Sequence, residues 1–343
     1  MKIAVIGAGS WGTAIAAMLG ERHEQVILWA RSASFAAELN ESRENSKYLP
    51  GRTLPPTVVV TADLTLVRDA ELVVIATPSH ALRAMVRQLS GHLSTQAVVV
   101  SATKGIELNT LKRMTEVIVD EIPAAAGRVA ALSGPNHAEE VALRHPTATV
   151  VAAKSQKVAE YVQDAFMCEY FRVYTNPDLV GVELGGALKN IIALGAGISE
   201  GLGFGDNTKA ALMTRGLAEI VRLGMAMGAQ PLTFAGLAGI GDLMVTCSSR
   251  HSRNRRAGIL LAQGKTVSEV IAATNMVVEG INATLAAYNL ARRHKVEMPI
   301  TEQTYQVLYE GKAPRAAVLE LMTRGRTHEV EEVVIKSIGN WRI

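Results

Sequence analysis

Residues 2–12 read Lys-Ile-Ala-Val-Ile-Gly-Ala-Gly-Ser-Trp-Gly, a short apolar run that ends in a G-x-G-x-x-G turn. Few segments restrict a fold as strongly, because each glycine in such a turn has its own duty. Gly7 allows the tight reversal, Gly9 lets the backbone approach a pyrophosphate, and Gly12 lets the next helix pack closely on the strand. The helix that follows, beginning Thr-Ala-Ile-Ala-Ala-Met-Leu, offers free N–H groups to phosphate oxygens. Strand, glycine turn and helix in this order predict a dinucleotide cradle at the start of the chain. The same stretch has a decoy reading. From Ile3 to Gly20 there is no charge, and Lys2 precedes it, which is the outline of a signal peptide or a short membrane span. Its four glycines and the polar Ser10 and Thr13 weaken a lipid-facing helix. No later stretch is read as a span, so the expectation is a soluble, cytoplasmic protein without integral membrane association.

The length of 343 residues suggests two domains at roughly 150 residues each. Hydrophobic residues at 48% against charged residues at 20% are enough for large cores and exclude a mainly disordered chain. The 35 Lys and Arg nearly balance the 32 Asp and Glu, which argues against nucleic acid as a partner. Aromatic residues at 4% are too few for a base-stacking platform. Cys168 and Cys247 make neither a disulfide framework nor a metal cluster, so no metal is expected and the thiols are read as reduced.

Up to about residue 175, short Val- and Ile-rich runs alternate with amphipathic stretches. That pattern predicts a parallel sheet covered by helices, an α/β Rossmann-type doubly wound sheet with strands buried on both faces. The strands fall at 2–6, 25–29, 72–76, 97–101, 129–132, 148–152 and 171–174, with helices over 79–90 and 110–121. The polar, proline-bearing stretch 42–56 reads as a surface loop. At Asn176-Pro177 the texture changes: Asn is a good N-cap and Pro suits the first helical position, so a helix should begin there. Beyond it come helical patterns at 206–228, 279–294, 301–311 and 314–323, and a capping box at Thr266-Val-Ser-Glu269. The expected division is a dinucleotide-binding domain over 1–176 and an all-α substrate-binding and catalytic domain over 177–343.

Two further features concern the cofactor and the chemistry. An NAD-preferring site usually carries Asp or Glu at the end of the second strand, for the ribose 2′-hydroxyl. Here that strand ends Leu28-Trp29-Ala30-Arg31, and Arg31 can pair with a 2′-phosphate, so NADPH should be accepted. Lys189 is the single charge in sixteen residues, Leu184 to Ser199, among Gly185, Gly186, Ile192 and Ala193 on its helical face. Desolvation lowers the pKa of such an amine towards neutrality and fits it for proton transfer. Asn190 beside it can hold a substrate oxygen. Asp242 and Thr246 lie four apart and can together orient an amine, although capping a short helix would also account for Asp242. Arg250, Arg253, Arg255 and Arg256, with Ser252 and Asn254, make either a solvated face or a phosphate-binding set. Lys104 and the Gly134-Pro-Asn-His-Ala138 run each follow a strand, where ligands sit in open α/β sheets. His80 and His137 lie near strand ends and are read as structural.

The motifs G-A-G-S-W-G-T-A, A-T-K-G, S-G-P-N-H-A-E-E, L-K-N-I-I-A, G-I-G-D-L and S-R-N, in this order, resemble bacterial NAD(P)-dependent glycerol-3-phosphate dehydrogenases along essentially the whole chain. The resemblance implies reversible reduction of dihydroxyacetone phosphate to sn-glycerol 3-phosphate by NADPH or NADH, in the service of phospholipid synthesis. It implies that Lys189 is the proton donor and acceptor, and that Lys104, Gly134, Asp242, Ser252, Arg253 and Asn254 contact the substrate. Ser10, Trp11, Arg31, Lys104, Ala138, Arg253, Val277 and Glu279 would line the nicotinamide cofactor. Two departures stand out: Asn136 occupies a position where relatives often have Ser, and Ala30 one where some have a polar residue. A homodimer is the expected assembly. Alternative readings are another two-domain hydroxyacid or ketoacid reductase, and a dinucleotide-sensing regulatory protein without chemistry.

Overall fold

The structure, a computed structural model, describes residues 1–274 and 277–326. The last part of the unit read as 177–343 therefore lies outside the described residues. Among the described residues ten strands occur: β1 (Lys2–Ile6), β2 (Gln25–Trp29), β3 (Glu44–Asn45), β4 (Leu49–Thr53), β5 (Val58–Thr61), β6 (Leu72–Ile75), β7 (Val98–Ser101), β8 (Val129–Ser133), β9 (Thr147–Ala153) and β10 (Phe171–Asn176). Between them run α1 (Ser10–Gly20), α2 (Ala33–Ser42), α3 (Ser79–Leu89), α4 (Met114–Glu121), α5 (Ala138–Ala142) and α6 (Gln156–Phe166). Beyond residue 176 the described residues hold no strand. They form α7 (Leu179–Gly201), α8 (Asp206–Ala226), α9 (Asp242–Ser248), α10 (Arg253–Ala262), α11 (Val267–Ala272), α12 (Glu279–His294), α13 (Pro299–Tyr309) and α14 (Pro314–Met322).

The main sheet has eight strands in the order β10-β9-β8-β7-β6-β1-β2-β5. The chain moves outward from β1 through β2 to β5, then returns to lay β6 on the other side of β1. The crevice at the carboxyl ends of β1 and β6 is thus a topological switch point, where open α/β sheets bind ligands. Alternation along each strand fills two cores. Ile3, Val5, Leu28 and Val74 pack on the α1 and α6 side, while Ala4, Ile6, Val73 and Ile75 pack on the α3 and α4 side. Each such Val, Leu or Ile contributes about 1.5–3 kcal/mol by leaving water.

Four expectations need correction. The sheet is mixed, because β9 runs antiparallel to β8. Strand β5, missed in the sequence, covers the outer edge of β2. Residues 42–56 are not simply a surface loop: β3 and β4 pair antiparallel there, with Asn45, Leu49 and Leu54 buried. Asn176 ends β10 rather than capping α7. The cap is Asp178, whose carboxylate accepts from the Gly181 N–H at 2.9 Å, because Pro177 keeps Asn176 extended.

Helix α7 is the axis of the second half, with α8, α9, α10, α12 and α13 around it and β8 and β9 beneath. By length and composition it is apolar enough to cross a membrane, contrary to the expectation that no later stretch is. Burial of 89% of its most apolar window explains that composition as core packing. Glu183 of α7 ties the two halves together. It pairs with Arg113 and accepts from Thr115 N at 2.8 Å and Thr115 Oγ1 at 2.6 Å, at the start of α4. This fixes the part of α7 one and a half turns before Lys189.

Candidate active site

The glycine turn takes the form predicted. Gly7 has φ +115°, and a Cβ there would come within 2.9 Å of the Ala76 carbonyl oxygen at the end of β6. A Cβ on Gly12 would collide with the Gly7 carbonyl oxygen, so α1 can lie this close to β1 only with glycine there. At Gly9 a Cβ would meet nothing, which leaves its backbone open to a ligand. Gly7, Gly9, Ser10 and Trp11 form one wall of a cleft of about 1190 Å³. Trp11 Nε1, Thr77 Oγ1 and His137 Nε2 are buried along it without a hydrogen-bond partner among the described residues. An open glycine turn and unpaired polar atoms fit a polar ligand such as a dinucleotide.

Lys189 reaches this cleft from α7. It is 5% exposed, and its Nζ donates to a carboxylate oxygen of Asp242 and, at 2.7 Å, to Thr246 Oγ1. Lys104, after β7, comes from the other side. It donates to the second Asp242 oxygen at 2.8 Å, to the Gly134 carbonyl at 2.9 Å and to Asn136 Oδ1 at 2.9 Å. One carboxylate, 1% exposed, therefore lies between two amines brought from different halves of the chain. Burial pushes the Lys189 amine down to about 7, with Lys104 adding to the effect and Asp242 opposing it. Burial acts to raise the Asp242 carboxyl, but the two lysines outweigh it and hold the group below its ordinary value.

Local sequence makes this approach possible. Residues Leu237–Gly241 form a π-type turn that delivers Asp242 into α9. Asp242 does not cap that helix, as its sequence position would also have allowed; its oxygens are taken by the lysines. A Cβ on Gly185 would run into the Ala238 carbonyl oxygen, and one on Gly186 into the Ser133 hydroxyl. The small residues beside Lys189 thus let α7 touch the π-type turn and β8 directly. Gly185→Ala should lower stability by about 1–3 kcal/mol and reduce turnover as well, because any relief moves Lys189 from Asp242. Urea unfolding together with steady-state rates checks this, and a variant unchanged in both would show that the approach has slack.

The other sequence-predicted residues divide clearly. Ser252, Arg253, Asn254, Val277, Glu279, Asn190, Ala138 and Arg31 all line the cleft. Gly12, Gly134 and Asp242 stand behind it and support the residues that do. Arg253 donates to the Val277 carbonyl at 3.1 Å. Asn254 Nδ2 donates to Asn190 Oδ1 at 2.8 Å, and Asn254 Oδ1 accepts from the Gly280 N–H at 2.8 Å. The Asn190 Nδ2 donates to the Gly186 carbonyl one turn back at 3.4 Å. Ser252 caps α10 by accepting from Arg255 N. Of the four clustered arginines, Arg253 is the one that lines the cleft. Arg255 pairs with Glu200, and Arg250 and Arg256 are exposed, so the cluster as a whole is not a phosphate-binding set.

Sequence reasoning missed several residues in and behind the cleft. Ser79, buried, donates through N at 3.1 Å and Oγ at 2.6 Å to the cleft residue Glu279, joining α3 to α12. His137, read as structural, faces His251 with ring centroids 6.1 Å apart; burial, Lys189 and Lys104 push it down to about 4, so it is neutral. Lys47 and Tyr48 of the supposed loop form part of the wall. None of these had a spacing signal, because each acts across long sequence separations.

Comparison with known proteins places this architecture. The N-terminal and C-terminal models of NAD-dependent glycerol-3-phosphate dehydrogenase match residues 2–159 and 178–319. A "Glycerol-3-phosphate dehydrogenase [NAD(P)+]" of Pelotomaculum thermopropionicum is 58% identical over 336 residues, covering 97% of this chain and 96% of that one. Its counterpart in Moorella thermoacetica is 57% identical over 341 residues, 99% of each. The crystal structure of glycerol-3-phosphate dehydrogenase from Coxiella burnetii superposes with a TM-score of 0.90 at 37% identity, covering 94% of this chain and 99% of that one. With both halves matched in order and relatives this similar along their full length, the chain belongs to the NAD-dependent glycerol-3-phosphate dehydrogenase family.

Proposed function

We propose that this cleft reduces dihydroxyacetone phosphate reversibly to sn-glycerol 3-phosphate with NAD(P)H, and that Lys189 exchanges the proton. The activity and the coenzyme are those of the family. One observation carries the assignment to Lys189: a buried amine titrating near neutrality, held by Asp242 and Thr246, in the cleft that the glycine turn opens. When bound, the nicotinamide supplies the hydride for C2. Lys189 gives a proton to the C2 oxygen in reduction and takes it back in oxidation, and a pKa near the working pH suits both directions. Asp242 and Thr246 keep Nζ in place. Lys104, held by Gly134 and Asn136, and the amide of Asn190 position the carbonyl. Arg253, with Asn254 and Ser252, holds the phosphate, which converts binding remote from C2 into orientation. Ser10, Trp11, Ala138, Val277 and Glu279 would line the cofactor, and Arg31 would meet a 2′-phosphate, so NADPH is accepted.

The boundary between the two units lies between β10 and α7, at 176/177, and the gap between the two family matches supports it. A homodimer is the assembly, supported by the exposed Leu232, Leu319 and Met322, with a cytoplasmic location supported by the free Cys168 and Cys247. Glycerol 3-phosphate made this way serves phospholipid synthesis.

The test is loss of absorbance at the reduced-nicotinamide band with dihydroxyacetone phosphate, run with NADPH and with NADH and repeated with unphosphorylated dihydroxyacetone. The phosphorylated ketone should turn over about 10² or more faster in kcat/KM, the worth of one charge-assisted pairing to the phosphate. Equal rates on both ketones would favour an unphosphorylated ketoacid or hydroxyacid substrate. Tight cofactor binding with no oxidation would favour a sensor.

A further inference from the structure

The β3–β4 hairpin is built into the cofactor cleft rather than set on the surface. Asn45 is fully buried, and its Nδ2 donates to the Ala8 carbonyl at 3.0 Å and to Thr13 Oγ1 at 2.7 Å, inside and just after the glycine turn. Its Oδ1 accepts from the Tyr48 N–H at 3.1 Å, which sets the course of residues 46–48. Tyr48 then packs edge-on against Phe35 of α2, with centroids 5.9 Å apart at 88°. Lys47 Nζ stands 5.2 Å from the centre of the Tyr48 ring. One buried amide thus fixes the turn that carries Lys47 and Tyr48, with Tyr48 against the first turn of α2 and Lys47 beside the Tyr48 ring, both lining the cleft with Arg31.

The charges there are specific. Arg31, Ser32, Ser34 and Lys47 line this end of the cleft, with Glu38 as its carboxylate. Ser32 and Ser34 share a hydrogen bond of 2.7 Å. Ala30, at the place where a carboxylate would select a ribose 2′-hydroxyl, is buried and apolar. Two cations and two hydroxyls against one carboxylate suit a phosphate better than a hydroxyl.

We infer that Lys47, presented by the Asn45-anchored hairpin, is a second cation for the 2′-phosphate of NADPH and a determinant of cofactor preference. The inference rests on the reading of Arg31 given above, and extends it to a residue from a separate element. Because Lys47 is exposed, Lys47→Ala should fold normally. The probes are 2′,5′-ADP and 5′-ADP, which differ in the 2′-phosphate, titrated by calorimetry against the parent, Lys47→Ala, Lys47→Arg and Arg31→Ala. Lys47→Ala should weaken 2′,5′-ADP about five- to tenfold and leave 5′-ADP within about twofold, while Lys47→Arg restores most of the loss. The NADPH/NADH ratio of kcat/KM should fall by the same factor. Equal weakening of both probes would make the hairpin a mere wall and overturn the inference. No change in Lys47→Ala beside a selective loss in Arg31→Ala would overturn it and leave the Arg31 reading standing. No selective loss in either variant would overturn both.

Discussion

Lys189→Ala should lower kcat for reduction by roughly 10²–10⁴, the usual worth of a positioned general acid, with little change in the affinity for NADPH. The cofactor cradle is formed by the glycine turn and the residues around it, none of which depends on this amine. Asp242 keeps Lys104 as a partner, so the variant should fold. The pH dependence gives an independent check. Reduction needs the charged amine, so in the parent its rate should fall as pH rises through about 7. Oxidation needs the neutral amine and should rise over the same range. Lys189→Arg keeps a charge but neither gives up nor takes a proton near neutral pH, so both directions should suffer and the pH limb near 7 should disappear. Parallel rate measurements in both directions from pH 5.5 to about 9 decide the matter, and unchanged turnover in Lys189→Ala would remove this lysine from the mechanism.

Asp242→Asn carries the second large effect. The substitution keeps the shape and removes the charge that two buried amines share. Breaking a buried ion pair from one side costs about 3–5 kcal/mol, because the remaining charge is left uncompensated. Part of that cost is relieved when Lys189 gives up its proton more readily, since burial and Lys104 then act on it unopposed. The Lys189 pKa should therefore drop below its value in the parent, and the falling limb of the reduction rate should move to lower pH. A stability consequence follows in the parent. The Asp242 carboxyl is held below its ordinary value in the folded state. Its contribution is present at pH values above that ordinary value and is lost as pH falls through the folded-state value. Thermal unfolding of parent and variant across pH 3–7 should converge at the acid end. A constant gap would show that the carboxylate is not ionised in the fold.

The same residues show how far the sequence can be read. Lys189 is legible because a lone charge in an apolar helix has few explanations. The glycine turn is legible because its spacing and its place after β1 are local properties. The pairing of Asp242 with Thr246 follows from helical periodicity, but the second amine on that carboxylate does not. Lys104 lies 138 residues away and meets Asp242 only through the tertiary fold. The hairpin at 44–53 reads as a loop because its polar residues look solvated, whereas Asn45 spends its amide on the backbone of the glycine turn. The arginine cluster misleads for the opposite reason: four charges adjacent in sequence point to different sides of α10 and the loop before it.

Sequence alone determined what is periodic or consecutive: the strand-turn-helix cradle, the alternation that makes a doubly wound sheet, the switch to helices near residue 177, and the solitary buried lysine. The tertiary structure decided which partner each polar group meets, which arginine enters the cleft, and that β9 turns antiparallel. The division has a physical cause. Backbone geometry and hydrophobic periodicity depend on neighbours a few residues apart. Electrostatic pairing in a closed cleft is decided by elements as far apart in the chain as the 53 residues from Lys189 to Asp242 or the 138 from Lys104, and no spacing along the chain encodes which of them will touch.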